Sequence, residues 1–164
     1  MKVVLDANVI VATFVTRGTC HEVYALVVER HELFHSTSVI EEARRILITK
    51  IGAPVSKVEE HLSRLIEASM EVIPVAVPAA VCRYKDDLHV LGAAMAAGAG
   101  LLVTGDDDLL VIRSYGGFRI VGPADALRIL LGYADGPGGT SLGSAGGAAA
   151  ERRARYRRTR KRGA

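Results

Sequence analysis

Val3-Val4-Leu5-Asp6-Ala7-Asn8 and Leu101-Leu102-Val103-Thr104-Gly105-Asp106 decide the fold. Each is a short apolar run that stops at a polar turn carrying an aspartate. Such runs read as buried strands of a parallel sheet, because a strand covered on both faces needs no polar alternation. In open α/β sheets, ligands bind beyond the carboxyl ends of the strands. Asp6 and Asp106 both project there.

Helical phase adds two more acids. Val39 to Ile48 reads as a helix with an apolar stripe of Val39, Ile40, Ala43, Ile46 and Leu47. At ~100° per residue, Glu42 falls on the edge of that stripe and Glu41 almost opposite it. Asp86 to Ala97 reads as a second helix, in which Asp87 shares a stripe with Val90, Leu91 and Ala94. Asp86 lies off that stripe and His89 faces the other way. Acids are seldom buried without a partner, so the core-edge positions of Glu42 and Asp87 call for one. Carboxylates that converge raise one another's pKa. A divalent cation keeps such a cluster ionised, and hard oxygen ligands suit Mg²⁺ or Mn²⁺.

Each acid also has a plainer reading. Asp86 and Asp87 open a helix, where carboxylates cap N–H groups and favour the macrodipole. Asp106-Asp107-Asp108 could form a turn and an N-cap, and Glu41-Glu42 a solvated face. The agreement of Asp6, Glu42, Asp87 and Asp106 carries the cation reading. The histidines show no zinc spacing with each other or with the cysteines. Gly98-Ala99-Gly100 lacks the Lys-Ser/Thr of a phosphate loop.

The other elements follow from periodicity and punctuation. Strands are predicted at Lys2–Leu5, Leu33–His35, Glu71–Val75, Leu101–Val103 and Arg119–Val121. Further helices are predicted at Asn8–Phe14, His21–Arg30 and Val55–Met70, and from Pro123 to near Gly132. Ser36 or Ser38 is the candidate N-cap of the helix carrying Glu42, and Gly98 closes the helix carrying Asp87. Alternating strands and helices predict a three-layer α/β/α sandwich with a central parallel sheet.

The chain has 164 residues and is 49% hydrophobic, enough for one domain with a substantial core. Residues 1–133 are expected to fold as that domain. Residues 134–150 are Gly- and Ala-rich and read as a disordered linker. Residues 151–164 form a basic tail, also expected to be disordered. The charge divides in the same way. Residues 1–150 hold 13 Lys+Arg against 17 Asp+Glu, and residues 151–164 hold 8 against 1, so the net +3 is a property of the tail. Arg152, Arg153, Arg155, Arg157, Arg158, Arg160, Lys161 and Arg162 are candidate nucleic-acid contacts, since like-charge blocks are commonly interaction tails. Two cysteines with no CxxC spacing and no secretory leader point to a reducing cytoplasm. No stretch reads as a membrane span.

These residues resemble the PIN domain family of metal-dependent ribonucleases, and within it the toxin-type (VapC-like) proteins of type II toxin–antitoxin systems. The likeness rests on Val3-Val4-Leu5-Asp6-Ala7-Asn8-Val9, on Ser38-Val39-Ile40-Glu41-Glu42-Ala43-Arg44-Arg45-Ile46-Leu47, on Asp86-Asp87 with its Ala-rich helix, and on Leu102-Val103-Thr104-Gly105-Asp106-Asp107-Asp108. Ile120-Val121-Gly122-Pro123 completes the order. Ala7 stands where members often carry Thr, and the tail has no counterpart in the family. The resemblance implies that Asp6, Glu42, Asp87 and Asp106 are the catalytic acids, with Asp108 accessory. It implies a metal site of Asp6, Asp87, Asp106 and Asp108 holding Mg²⁺ or Mn²⁺, with Asn8 and Thr104 positioning the carboxylates. It further implies RNA as substrate, a small antitoxin as partner and a homodimer. A non-catalytic PIN scaffold that binds RNA or protein is the alternative, and a DNA-directed nuclease a third reading.

Overall fold

The computed structural model describes residues 1–82 and 87–133. The elements run β1 (Lys2–Leu5), α1 (Ala7–Val15), α2 (Thr19–Arg30), β2 (Glu32–His35), α3 (Thr37–Thr49), α4 (Val55–Glu67), β3 (Met70–Glu71), α5 (Leu88–Ala97), β4 (Leu101–Val103), α6 (Asp107–Leu110), β5 (Ser114–Tyr115), β6 (Phe118–Val121) and α7 (Pro123–Leu130). The predicted linker and tail, residues 134–164, lie outside the described residues, as does Asp86.

The six strands form one sheet in the order β3-β2-β1-β4-β6-β5. Every pairing is parallel except β5 with β6, which is antiparallel at one edge. Val3, Val4, Leu5, Leu101, Leu102 and Val103 are all buried, so consecutive side chains on opposite faces are both covered. That burial requires helices above and below the sheet. Here α2 and α7 pack together over β2 and β4, and α5 packs over β1, β2 and β4. The result is the expected α/β/α sandwich. Removing each large aliphatic side chain from water contributes about 1.5–3 kcal/mol.

Strand order sets where ligands bind. From β1 the chain moves outward through β2 to β3, then returns across β1 to place β4 on its other side. The switch point is therefore between β1 and β4, whose register pairs Leu5 with Val103. The next residues on the two strands are Asp6 and Thr104, side by side at the carboxyl end.

Three local expectations need correction. The predicted strand Glu71–Val75 shrinks to Met70–Glu71. Val72 N–H still donates to the His35 carbonyl at 2.8 Å, but Pro74 has no N–H to continue the ladder. Val75 N–H turns to the Gly92 carbonyl of α5 at 3.2 Å instead. A Cβ on Gly92 would lie 2.3 Å from the Val75 carbonyl oxygen, so this approach needs glycine. The helix predicted to run to Met70 ends at Glu67, where the Ser69 hydroxyl donates back to the Leu65 carbonyl at 2.6 Å. Finally, β5 has no counterpart among the strands predicted from the sequence. Gly116 and Gly117, at φ 54° and 91°, make the tight turn that folds it back on β6.

Candidate active site

Asp6, Glu42, Asp87 and Asp106 all line one cleft of about 610 Å³ at the switch point. They come from four places in the chain. Asp6 is the residue before α1, Glu42 lies in the second turn of α3, Asp87 precedes α5 and Asp106 precedes α6. Asn8, Ser38, Glu41, Arg45 and His89 share the cleft.

The β1–β4 side is held by a closed hydrogen-bond network. Asp6 is 7% exposed. Its Oδ1 accepts from the Ala7 N–H at 2.7 Å, and its Oδ2 accepts from the Thr104 hydroxyl at 2.6 Å and the Asn8 amide at 2.7 Å. Thr104, fully buried, accepts in turn from the Asp106 N–H at 3.0 Å. The Asn8 side-chain oxygen accepts from the Gly105 N–H at 3.0 Å. The turns after β1 and β4 are thus tied to each other through Asn8 and Thr104. Asp106 Oδ1 caps α6 by accepting from the Asp108 N–H at 2.8 Å. The plainer N-cap reading therefore holds for Asp106 at the same time as its place in the cleft.

Burial lifts the Asp6 carboxyl from its ordinary 3.8 to about 6. The Thr104 and Ala7 hydrogen bonds oppose that rise, and the nearby Glu42 and Asp87 carboxylates add to it. Asp6 is thus a buried acid crowded by like charge, which a cation would relieve.

The α3–α5 side is more open. The Glu42 carboxylate makes no hydrogen bond or ion pair among the described residues. Asp87 sits at the N-cap position of α5 but makes no side-chain cap bond, and its Oδ2 accepts from the Cys82 thiol at 3.4 Å. Ser36 sits at the N-cap position of α3 without a cap bond; its hydroxyl pairs with that of Ser38 at 3.1 Å.

Two readings of helical phase need adjustment. Glu41 is exposed as expected, yet it also stands at the cleft rim, bound to Arg44. His89, read as facing away, lines the cleft too. Asp108 lies in the first turn of α6 and is not among the residues lining the cleft.

Among the described residues, no three Asp, Glu, His or Cys side chains stand close enough together to hold a metal ion as a ready cage. The donor chemistry nevertheless fits Mg²⁺ or Mn²⁺, because the cleft offers carboxylate oxygens and no thiolate. Mg²⁺ commonly keeps several waters and takes only one or two carboxylates plus substrate phosphates.

A PIN domain family model matches residues 2–108. This chain belongs to the PIN domain family. The match spans the segments that carry Asp6, Glu42, Asp87 and Asp106. Among solved structures, a chain of VapBC2 from Rickettsia felis, crystallised bound to a DNA fragment from their promoter, superposes with a TM-score of 0.56 at 14% identity. The alignment covers 74% of this chain and 98% of that one, which shows a shared fold. No curated protein matches the chain. Among the described residues, no helix is long and apolar enough to cross a membrane.

Proposed function

We propose that the chain is a metal-dependent endoribonuclease hydrolysing RNA phosphodiester bonds, acting as the toxin of a toxin–antitoxin pair. The observation that carries this reading is the gathering of Asp6, Glu42, Asp87 and Asp106 around one cleft at the switch point. Family membership supports a nuclease, and the structural likeness to a chain of a toxin–antitoxin complex supports an antitoxin partner.

Asp6, Asp87 and Asp106 would hold Mg²⁺ or Mn²⁺, with Asp108 behind them on α6. A bound cation would supply Lewis-acid stabilisation of the phosphate and a water of lowered pKa. The residues divide the remaining work. Asn8 and Thr104 fix the orientation of Asp6, as hydrogen-bonded partners of ligating carboxylates do. The α6 cap fixes Asp106. Glu42, having no partner among the described residues, would orient the attacking water or complete the metal shell. Outside the described residues, Arg152, Arg153, Arg155, Arg157, Arg158, Arg160, Lys161 and Arg162 would add sequence-independent, salt-sensitive attraction to RNA. A homodimer and a cytoplasmic setting complete the proposal.

The test is cleavage of single-stranded RNA by the purified full chain with Mg²⁺ or Mn²⁺, stopped by EDTA. RNA binding with no metal-dependent cleavage would replace this reading with that of a non-catalytic scaffold.

A further inference from the structure

An acidic cleft has to hold a polyanion. Among the described residues, five of the cleft's charged side chains are carboxylates and one is a guanidinium, that of Arg45. Its neighbour on α3, Arg44, is committed: Nε donates to Glu59 at 2.7 Å and a second nitrogen pairs with Glu41. The Arg45 guanidinium is exposed and makes no hydrogen bond or ion pair among the described residues, although it stands among acids. Ser38, Glu42 and Arg45 occupy positions i, i+4 and i+7 of α3 and so share one ridge along the cleft. Three residues of helix place Arg45 ~4.5 Å beyond Glu42 along the axis.

The ring groups tell the same story. Among the described residues, His89 is the one aromatic side chain lining the cleft. It is exposed, and it has no hydrogen-bond partner among the described residues. Among the described residues, the rest of the lining is aliphatic or polar and offers no other aromatic ring to a base.

We propose that Arg45 and His89 form an RNA-gripping subsite: Arg45 takes a backbone phosphate beside the scissile one, and the His89 ring stacks on an unpaired base. The proposal rests on the nuclease reading and deepens it, because stacking on a side chain requires a splayed base and selects single-stranded RNA. Arginine suits the first role through its forked, bidentate fit to phosphate.

The experiment compares full-chain variants on a single-stranded RNA, by steady-state cleavage and by direct binding of a fluorescent oligonucleotide. Arg45→Ala is expected to raise KM and weaken binding about ten-fold with kcat retained, and to lower the salt slope by ~0.7 for the one lost phosphate contact. Arg45→Lys should keep most of that slope. His89→Ala should raise KM, and His89→Phe should restore it. Arg44→Ala, which removes a cation of the same helix outside the subsite, should leave KM unchanged. Unchanged KM and affinity in both Arg45→Ala and His89→Ala overturn the subsite. No rescue by His89→Phe overturns stacking, and equal affinity for duplex RNA overturns the substrate class. If the wild-type chain binds RNA but does not cut it, the nuclease reading fails while the binding measurements still judge the subsite. A wild type that binds no RNA overturns both.

Discussion

The two sides of the cleft are built differently. On the β1–β4 side Asp6 receives three hydrogen bonds, and Thr104 and Asn8 link the two turns. On the α3–α5 side Glu42, Arg45 and His89 have no partner among the described residues. The contrast separates holding from contacting. A buried, fully bonded carboxylate keeps its geometry whatever enters the cleft, as a cation ligand must. Unbonded side chains on a helix ridge lose nothing on meeting a substrate, because they give up no internal contact.

The largest effect that would break this comparison is on the bonded side. Asp6→Asn and Asp106→Asn should each lower metal-dependent RNA cleavage by more than about 100-fold with the fold retained, since even partners of metal ligands cost 10–100-fold. Far-UV circular dichroism alongside the cleavage assay checks both halves of that statement. On the open side, Glu42→Gln should slow kcat by about 100-fold if the carboxylate handles the proton of the attacking water. Glu41→Gln should leave the rate unchanged, because Glu41 is already held by Arg44 at the rim. Equal losses in the two would erase the distinction between them.

The raised Asp6 pKa gives a stability signature in metal-free protein. Folded Asp6 titrates at about 6 against an ordinary 3.8, so the folded state binds this proton more tightly. The resulting stability is fully present below about pH 4 and is lost as pH rises through about 6, a change of up to about 3 kcal/mol. Denaturant unfolding at pH 4 and pH 7.5 should show this decline in the wild type and a flatter profile in Asp6→Asn. A smaller effect is expected for Thr104→Val. It removes one hydrogen bond to Asp6 and leaves the Asp106 N–H without its acceptor, costing about 1–3 kcal/mol of stability and raising the Mn²⁺ requirement.

Much of this was legible beforehand, for identifiable reasons. The strand-end positions of Asp6 and Asp106 follow from apolar runs that terminate at turns, and the register of β1 with β4 joins them. Glu42 and Asp87 follow from helical phase. That same reasoning misplaced His89 and, while right that Glu41 is exposed, did not show that it stands at the cleft rim, because phase locates a residue against its own helix's core stripe and says nothing of the neighbouring helix. The cleft lies between α3 and α5 and collects side chains from the flanks of both stripes. Arg45 could have been found three residues after Glu42, on the same ridge. The Gly116-Gly117 pair is a hairpin signal, but β5 is only two residues long and shows no alternation to mark it as a strand. The shortening of β3 was encoded in Pro74. The Cys82–Asp87 contact could not be read from periodicity, because Cys82 lies in no helix or strand.

The central claim is that the switch-point acids form one cation site, and Mn²⁺ binding tests it without reference to turnover. Electron paramagnetic resonance of free Mn²⁺, titrated into full-length wild type and into the Asp6→Asn/Asp106→Asn double variant at pH 7.5, reads it directly. Wild type is expected to remove Mn²⁺ from solution in stoichiometric amounts, and the folded double variant to leave it free. Equal Mn²⁺ binding by the two proteins would contradict the claim.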